Sequence, residues 1–166
     1  MDNTPKVLIM MGSDSDLPVM QEAADVLAKF GVPYEMRISS AHRSPVRTMS
    51  LASEAAGRGI RVIIAGAGMA AHLAGVVAAK TTLPVIGVPM PGGALNGVDA
   101  LYSTVQMPAG IPVATMAIGK AGAKNAGIFA VQILALTDSR LGTALGTYRS
   151  EMDREVELKD AALQAP

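Results

Sequence analysis

Short apolar runs set the frame for this chain. Lys6 to Met11 (KVLIMM) is one, and it stops at Gly12. Arg61 to Ala65, Pro84 to Val88 and Val113 to Ile118 repeat the pattern, and Tyr34 to Ile38 (YEMRI), which carries Glu35 and Arg37, is read as the second strand. Runs this short and continuous suit strands buried on both faces. Between them lie segments at helical spacing. Leu17, Met20, Ala24, Leu27 and Ala28 line one face of a helix from Leu17 to Phe30, with Ser15 or Asp16 as N-cap, Pro18 in the first turn and Gly31 at the end. Pro45 opens a second helix to about Ala56, stopped by Gly57 and Gly59. A small-residue helix runs to about Lys80, another covers Asn96 to Val105, and a buried one covers Ala121 to Leu136. The last, Ser139 to Leu163, turns polar towards its end. Strands that alternate with helices imply a parallel sheet with right-handed crossovers. The predicted fold class is α/β: a flavodoxin-like three-layer α/β/α sandwich with a five-stranded parallel sheet and an extended C-terminal helix.

Composition narrows the function classes. The 166 residues suit one domain, 1–166. Lys plus Arg equals Asp plus Glu at 14 each, so the totals indicate no basic nucleic-acid face. With 3% aromatics there is little for bases to stack on. The absence of Cys excludes disulfides, thiol nucleophiles and Cys-ligated metals. Residues 62–79 are uncharged, but their glycines and His72 favour a strand, a loop and a buried helix over a membrane span. No signal peptide is visible, so the expected location is cytoplasmic. Ala and Gly are abundant and only 17% of residues are charged, which predicts buried subunit contact in a homo-oligomer. The last helix has little left to pack on in so small a domain and is expected to reach a neighbouring subunit.

In an open parallel sheet, ligands bind beyond the carboxyl ends of the strands. Three of those ends carry unusual loops. The first is Gly12-Ser13-Asp14-Ser15-Asp16. Hydroxyls and backbone amides at a helix start suit a phosphate, while two Asp repel one. A division resolves this: Ser13 and Ser15 face an anion, and Asp16 accepts from sugar hydroxyls. An ordinary N-cap with exposed acids explains the same residues. The second loop, Ser39-Ser40-Ala41-His42-Arg43, sets a forked permanent cation beside Ser40 and a titratable ring. A plain surface turn fits it too. The third, residues 66–72, offers backbone amides in an apolar pocket together with His72 and Leu73. Both histidines of the chain thus fall on one edge of the sheet.

Other chemistries fit less well. Residues 66–71 match G-x-G-x-x-A, but after the third strand rather than the first and without the acidic partner of a dinucleotide site. There is no P-loop, no zinc-protease motif and no nucleophile elbow. Two His with Asp14 or Asp16 match no metal-ligand spacing and lie beside Arg43, so no metal is expected. The residues alone point to an oligomeric α/β enzyme acting on a phosphorylated sugar derivative, with His42 as acid/base.

Taken together, residues 11–16 (MGSDSD), 40–43 (SAHR), 63–68 (IIAGAG), 70–73 (AAHL), 78–81 (AAKT), 83–85 (LPV), Ala94-Leu95 with 97–99 (GVD), 105–108 (VQMP) and 117–119 (AIG) resemble the class I N5-carboxyaminoimidazole ribonucleotide mutases of bacterial purine biosynthesis. The likeness runs from about Val7 to Leu136. It implies the same sandwich fold, a homo-octamer with the C-terminal helix (about 139–163) embracing neighbours, and no cofactor. It implies a reaction that moves a carboxylate from the exocyclic nitrogen of N5-carboxyaminoimidazole ribonucleotide to the ring carbon. By position, His42 becomes the general acid/base. Ser13, Ser40 and Arg43, with Ser15 close by, take the 5′-phosphate end, and Asp16 takes ribose hydroxyls. Gly68, Met69, Ala70, His72 and Leu73 line the pocket for the migrating carboxyl group. Met69 and Ala74 stand where the family usually has Gly and Pro, and the glycine-rich loop Pro91-Gly92-Gly93 is expected to cover the site loosely.

Overall fold

The computed structural model describes residues 4–164. Its sheet contains β1 (Val7–Met11), β2 (Tyr34–Ile38), β3 (Val62–Ala67), β4 (Val85–Pro89) and β5 (Ala114–Thr115). All pairings are parallel and the spatial order is β2-β1-β3-β4-β5, the flavodoxin-like order with its switch point between β1 and β3. The helices are α1 (Leu17–Lys29), α2 (Pro45–Glu54), α3 (Leu73–Ala78), α4 (Val98–Val105), α5 (Lys120–Ala135) and α6 (Ser139–Gln164).

Strand alternation assigns the layers. Leu8 and Met10 of β1 and Ile63 and Ala65 of β3 pack with Ala52 of α2 and with Leu73, Ala74 and Val77 of α3. A Cβ built on Gly87 would run into Thr104 of α4, so α4 shares that face. The alternate positions look the other way. Gly66 faces Met20 of α1, and Gly127 of α5 lies against Ala23 and Val26 of the same helix. Every residue of β1 and β4 is buried, as continuous apolar runs require between two helical layers.

The residues form two compact units that divide inside α5, after Val131. The first holds the sheet and the loops at its carboxyl edge. The second is dominated by α6, whose buried residue is Leu141 and along which Met152, Val156, Leu158 and Leu163 are exposed.

Several predicted boundaries shift for identifiable reasons. The helix expected from Asn96 starts at Val98, because Asn96 (φ 48°) and Gly97 (φ 88°) are left-handed. The third strand extends to Ala67, since Gly66 and Ala67 pair with Val88 and Pro89. The fifth strand, expected over Val113 to Ile118, shrinks to two residues on the sheet edge. Pro112 cannot donate to a ladder, and the pairing ends once Met116 N–H has bonded to the Gly87 carbonyl.

Candidate active site

The three loops singled out above, together with the one after β4, enclose an open cleft of about 470 Å³. Its walls include every predicted site residue: Ser13, Ser15, Asp16, Ser40, His42, Arg43, Gly68, Met69, Ala70, His72 and Leu73.

The first loop differs in detail from its predicted capping. A short 3-10 turn, Asp14–Asp16, precedes α1; Asp16 holds the N-cap position of α1, as expected, but its side chain caps no N–H of that helix, and Ser13 caps the 3-10 turn instead. The Asp16 carboxylate accepts from Ser13 N–H at 3.1 Å while Ser13 Oγ accepts from Ser15 N–H at 3.4 Å, a capping box. Ser13 Oγ itself donates to Asp14 at 3.0 Å. The two acids are thereby separated electrostatically. The Ser13 hydroxyl and nearby backbone N–H groups hold Asp14 below the usual carboxylate range. Burial pushes half-buried Asp16 above that range, outweighing the N–H groups of Ser13 and Gly12 and the Arg43 charge.

The second loop is locked from beneath. Ser39 is buried, its N–H donates to the Met11 carbonyl at 2.8 Å, and its hydroxyl meets that of buried Thr48 at 2.8 Å. Ser40 N–H donates to Ser44 Oγ at 3.0 Å, and Ser44 Oγ returns a bond to the Ser40 carbonyl at 3.1 Å. This tight turn ends with Arg43 N–H on Ser40 Oγ at 3.1 Å. The Arg43 side chain then crosses to the first loop, donating from Nη2 to the Gly12 carbonyl at 2.9 Å. One donor of its fork is used there, and others remain to meet an anion beside Ser13 and Ser40.

The third loop hangs between β3 and α3, pinned by buried Ala71 and Leu73. His72 occupies the N-cap position of α3 but makes no capping bond with its side chain. Its ring instead reaches the second loop, where Nδ1 lies 2.8 Å from His42 Nε2. The rings stand edge to face, 81° apart with centroids at 4.9 Å. Both histidines are exposed to the cleft. Among the described residues, no three His, Asp or Glu side chains are grouped to hold a metal ion.

Met90 also lines the cleft, and sequence reasoning missed it. It ends an apolar strand, reads as core, and is indeed 3% exposed. A Cβ on Gly68 would stand 3.3 Å from Met90 Cβ, so Met90 forms the floor beneath the glycine loop. Pro91, Gly92 and Gly93 follow it on the cleft wall, where a covering loop was expected.

The cleft is thus divided chemically. Hydroxyls, N–H groups and a guanidinium lie at one part and a carboxylate beside them. Paired imidazoles stand next to a wall of glycine, Leu73 and Met90. A parallel α/β sandwich with such a cleft at its switch point defines a small-molecule enzyme fold, and the lining suits a polar ligand. The AIR carboxylase family model matches residues 6–155, and the chain belongs to that family. An N5-carboxyaminoimidazole ribonucleotide mutase of Pyrococcus horikoshii is 56% identical over 160 residues, 96% of this chain and 89% of that protein. A phosphoribosylaminoimidazole carboxylase of Candida albicans is 54% identical over 161 residues, 97% of this chain and 28% of that much longer protein. The crystal structure of Treponema denticola PurE superposes with a TM-score of 0.87 at 30% identity, covering 97% of this chain and 99% of that one.

Proposed function

We propose that this protein interconverts N5-carboxyaminoimidazole ribonucleotide and 4-carboxy-5-aminoimidazole ribonucleotide, a step of de novo purine biosynthesis, by releasing and recapturing carbon dioxide. The observation that carries the reading is the convergence of an anion-suited end and an imidazole pair in one cleft of a chain 56% identical to a mutase. Ser13, Ser15, Ser40 and Arg43 take the 5′-phosphate, and Asp16 accepts from the ribose hydroxyls.

His42, as imidazolium, protonates the carbamate nitrogen. The N–C bond breaks, its electron pair stays on nitrogen, and carbon dioxide leaves. The ring carbon attacks carbon dioxide, forming the C–C bond, and neutral His42 removes the proton from that carbon to restore aromaticity. One imidazole serves both steps, first as acid and then as base. Gly68, Met69, Ala70, His72 and Leu73 keep the carbon dioxide in place, so recapture is effectively intramolecular. No cofactor enters this scheme. Domain 1–166 works as a cytoplasmic homo-octamer in which α6 packs on neighbouring subunits. The exposed apolar residues of α6 support that assembly.

Direct carboxylation of aminoimidazole ribonucleotide is the second reading, favoured by the carboxylase name of the Candida albicans relative. The acid/base assignment is tested with His42→Asn. Turnover should fall about 10²- to 10⁴-fold, the scale of general acid–base catalysis. Binding of the ribonucleotide, measured by calorimetry, should persist. Normal turnover in this variant excludes His42 from the role.

A further inference from the structure

Met69 is the residue of the cleft that local backbone rules least expect. Its φ is 55°, a left-handed conformation that disfavours any side chain and suits glycine. The residue is 64% exposed although it lines the cleft. Across from it runs the loop after β4, with Gly92 at φ 136° and Gly93 at φ 63°. A Cβ on Gly93 would stand 3.5 Å from Met69 Cγ, so the thioether chain rests against this second wall. A flexible apolar side chain therefore bridges the glycine loop and the Pro91-Gly92-Gly93 loop, next in sequence to the segment that carries His72.

We propose that Met69 covers the carbon dioxide freed between the two half-reactions and sets the ratio of recapture to escape. The inference rests on the mutase reading above. It goes beyond it by giving one side chain control of a partition rather than of binding or proton transfer. Carbon dioxide is small and neutral, so polar groups hold it weakly and an apolar cover retains it by blocking its path. An unbranched thioether can fill such an irregular gap. When carbon dioxide escapes, aminoimidazole ribonucleotide is left behind, and carbon dioxide from solution can take the vacant place.

Unlabelled N5-carboxyaminoimidazole ribonucleotide converted in ¹³C-bicarbonate buffer tests this. The reading is the labelled fraction of the carboxylated product, taken per product formed and corrected for label from a no-enzyme control. The wild type should give a low fraction. Met69→Gly and Met69→Ala should raise it several-fold and release aminoimidazole ribonucleotide, while Met69→Leu, which restores an apolar cover, should return it to near the wild-type value. A labelled fraction equal in all four proteins overturns the covering role and leaves the mutase reading intact. Failure of the wild type to convert the substrate overturns both.

Discussion

His42 Nε2 and His72 Nδ1 lie 2.8 Å apart, although 30 positions separate them in the chain. A contact this short between ring nitrogens needs one N–H and one lone pair. Each ring therefore dictates the tautomer of the other, and the pair can carry one extra proton but not two without losing the bond. If His42 is the acid/base, this bond makes His72 the residue that would position it.

His72→Phe keeps a flat ring and removes both nitrogens. Loss of a hydrogen bond to a charged imidazole costs about 1.5–3 kcal/mol, or about 10- to 150-fold in rate. The loss should appear in kcat more than in KM, and the acidic limb of the pH–rate profile should move. A KM effect with an unmoved profile would make His72 a wall of the pocket and nothing more.

Arg43 joins the first two loops through the Gly12 carbonyl. Arg43→Lys retains the charge but cannot span the carbonyl and an anion with one planar fork. KM for the ribonucleotide should rise about 10-fold or more, given about 1.5–3 kcal/mol for a charged hydrogen bond. Inhibition by inorganic phosphate should weaken in parallel. An unchanged KM would place the phosphate elsewhere.

Asp16 gives a pH signature. Burial raises its pKa, so the folded chain holds the proton more tightly than the unfolded one. Its contribution to stability is then most favourable at low pH and declines as pH rises through the raised value. Asp16→Asn carries no such decline. The Tm difference between variant and wild type should shift in the variant's favour from about pH 4 to about pH 7. Asp14, whose pKa is lowered, contributes stability above its unfolded value and loses it as pH falls, but it is common to both proteins. The same variant should bind ribonucleotide about 10- to 150-fold more weakly if a charged hydrogen bond to the ribose is lost. A Tm difference that is flat or reversed with pH contradicts the burial effect.

Three glycines rank by what an added methyl would meet. At Gly66 it would meet Met20 Sδ at 2.5 Å and Met90 Cε at 2.6 Å, the ends of flexible chains that can swing aside. At Gly87 it would strike Thr104 and, at 2.9 Å, Val113 Cγ1, both β-branched and stiff. At Gly122 it would strike the backbone carbonyl of Ala117. Overpacking commonly costs about 1–3 kcal/mol. Gly66→Ala should fall at the low end, Gly87→Ala higher, and Gly122→Ala highest, as read by urea unfolding. The reverse order would mean that the methionines are held rigidly.

Most of this architecture was written locally. Tyr34–Ile38 and the α/β alternation could be read from hydrophobic pattern because each strand and helix carries its own period. The site's location followed from topology, since three unusual loops share the carboxyl edge of one sheet. What pattern could not supply was set by tight turns and by pairs distant in sequence. The Met116 bond to Gly87 ends β5, and Asn96 acquires its left-handed φ of 48° from a turn rather than from its helix-like surroundings. Asp16 is the N-cap residue of α1 as its type suggests, yet its carboxylate turns back to Ser13 N–H because a 3-10 turn intervenes, which single-residue preferences do not reveal. The His42–His72 bond belongs to the same class: both rings were assigned to one edge, but only folding sets their nitrogens face to face. Met90 was hidden by its own apolarity.

In the proposed reaction the carboxyl group arrives on the substrate's nitrogen. The most direct measurement compares two substrates side by side: N5-carboxyaminoimidazole ribonucleotide in low-bicarbonate buffer, and aminoimidazole ribonucleotide with bicarbonate. A mutase should convert the first fast and little of the second. Conversion of the second alone would contradict it and make the protein a direct carboxylase.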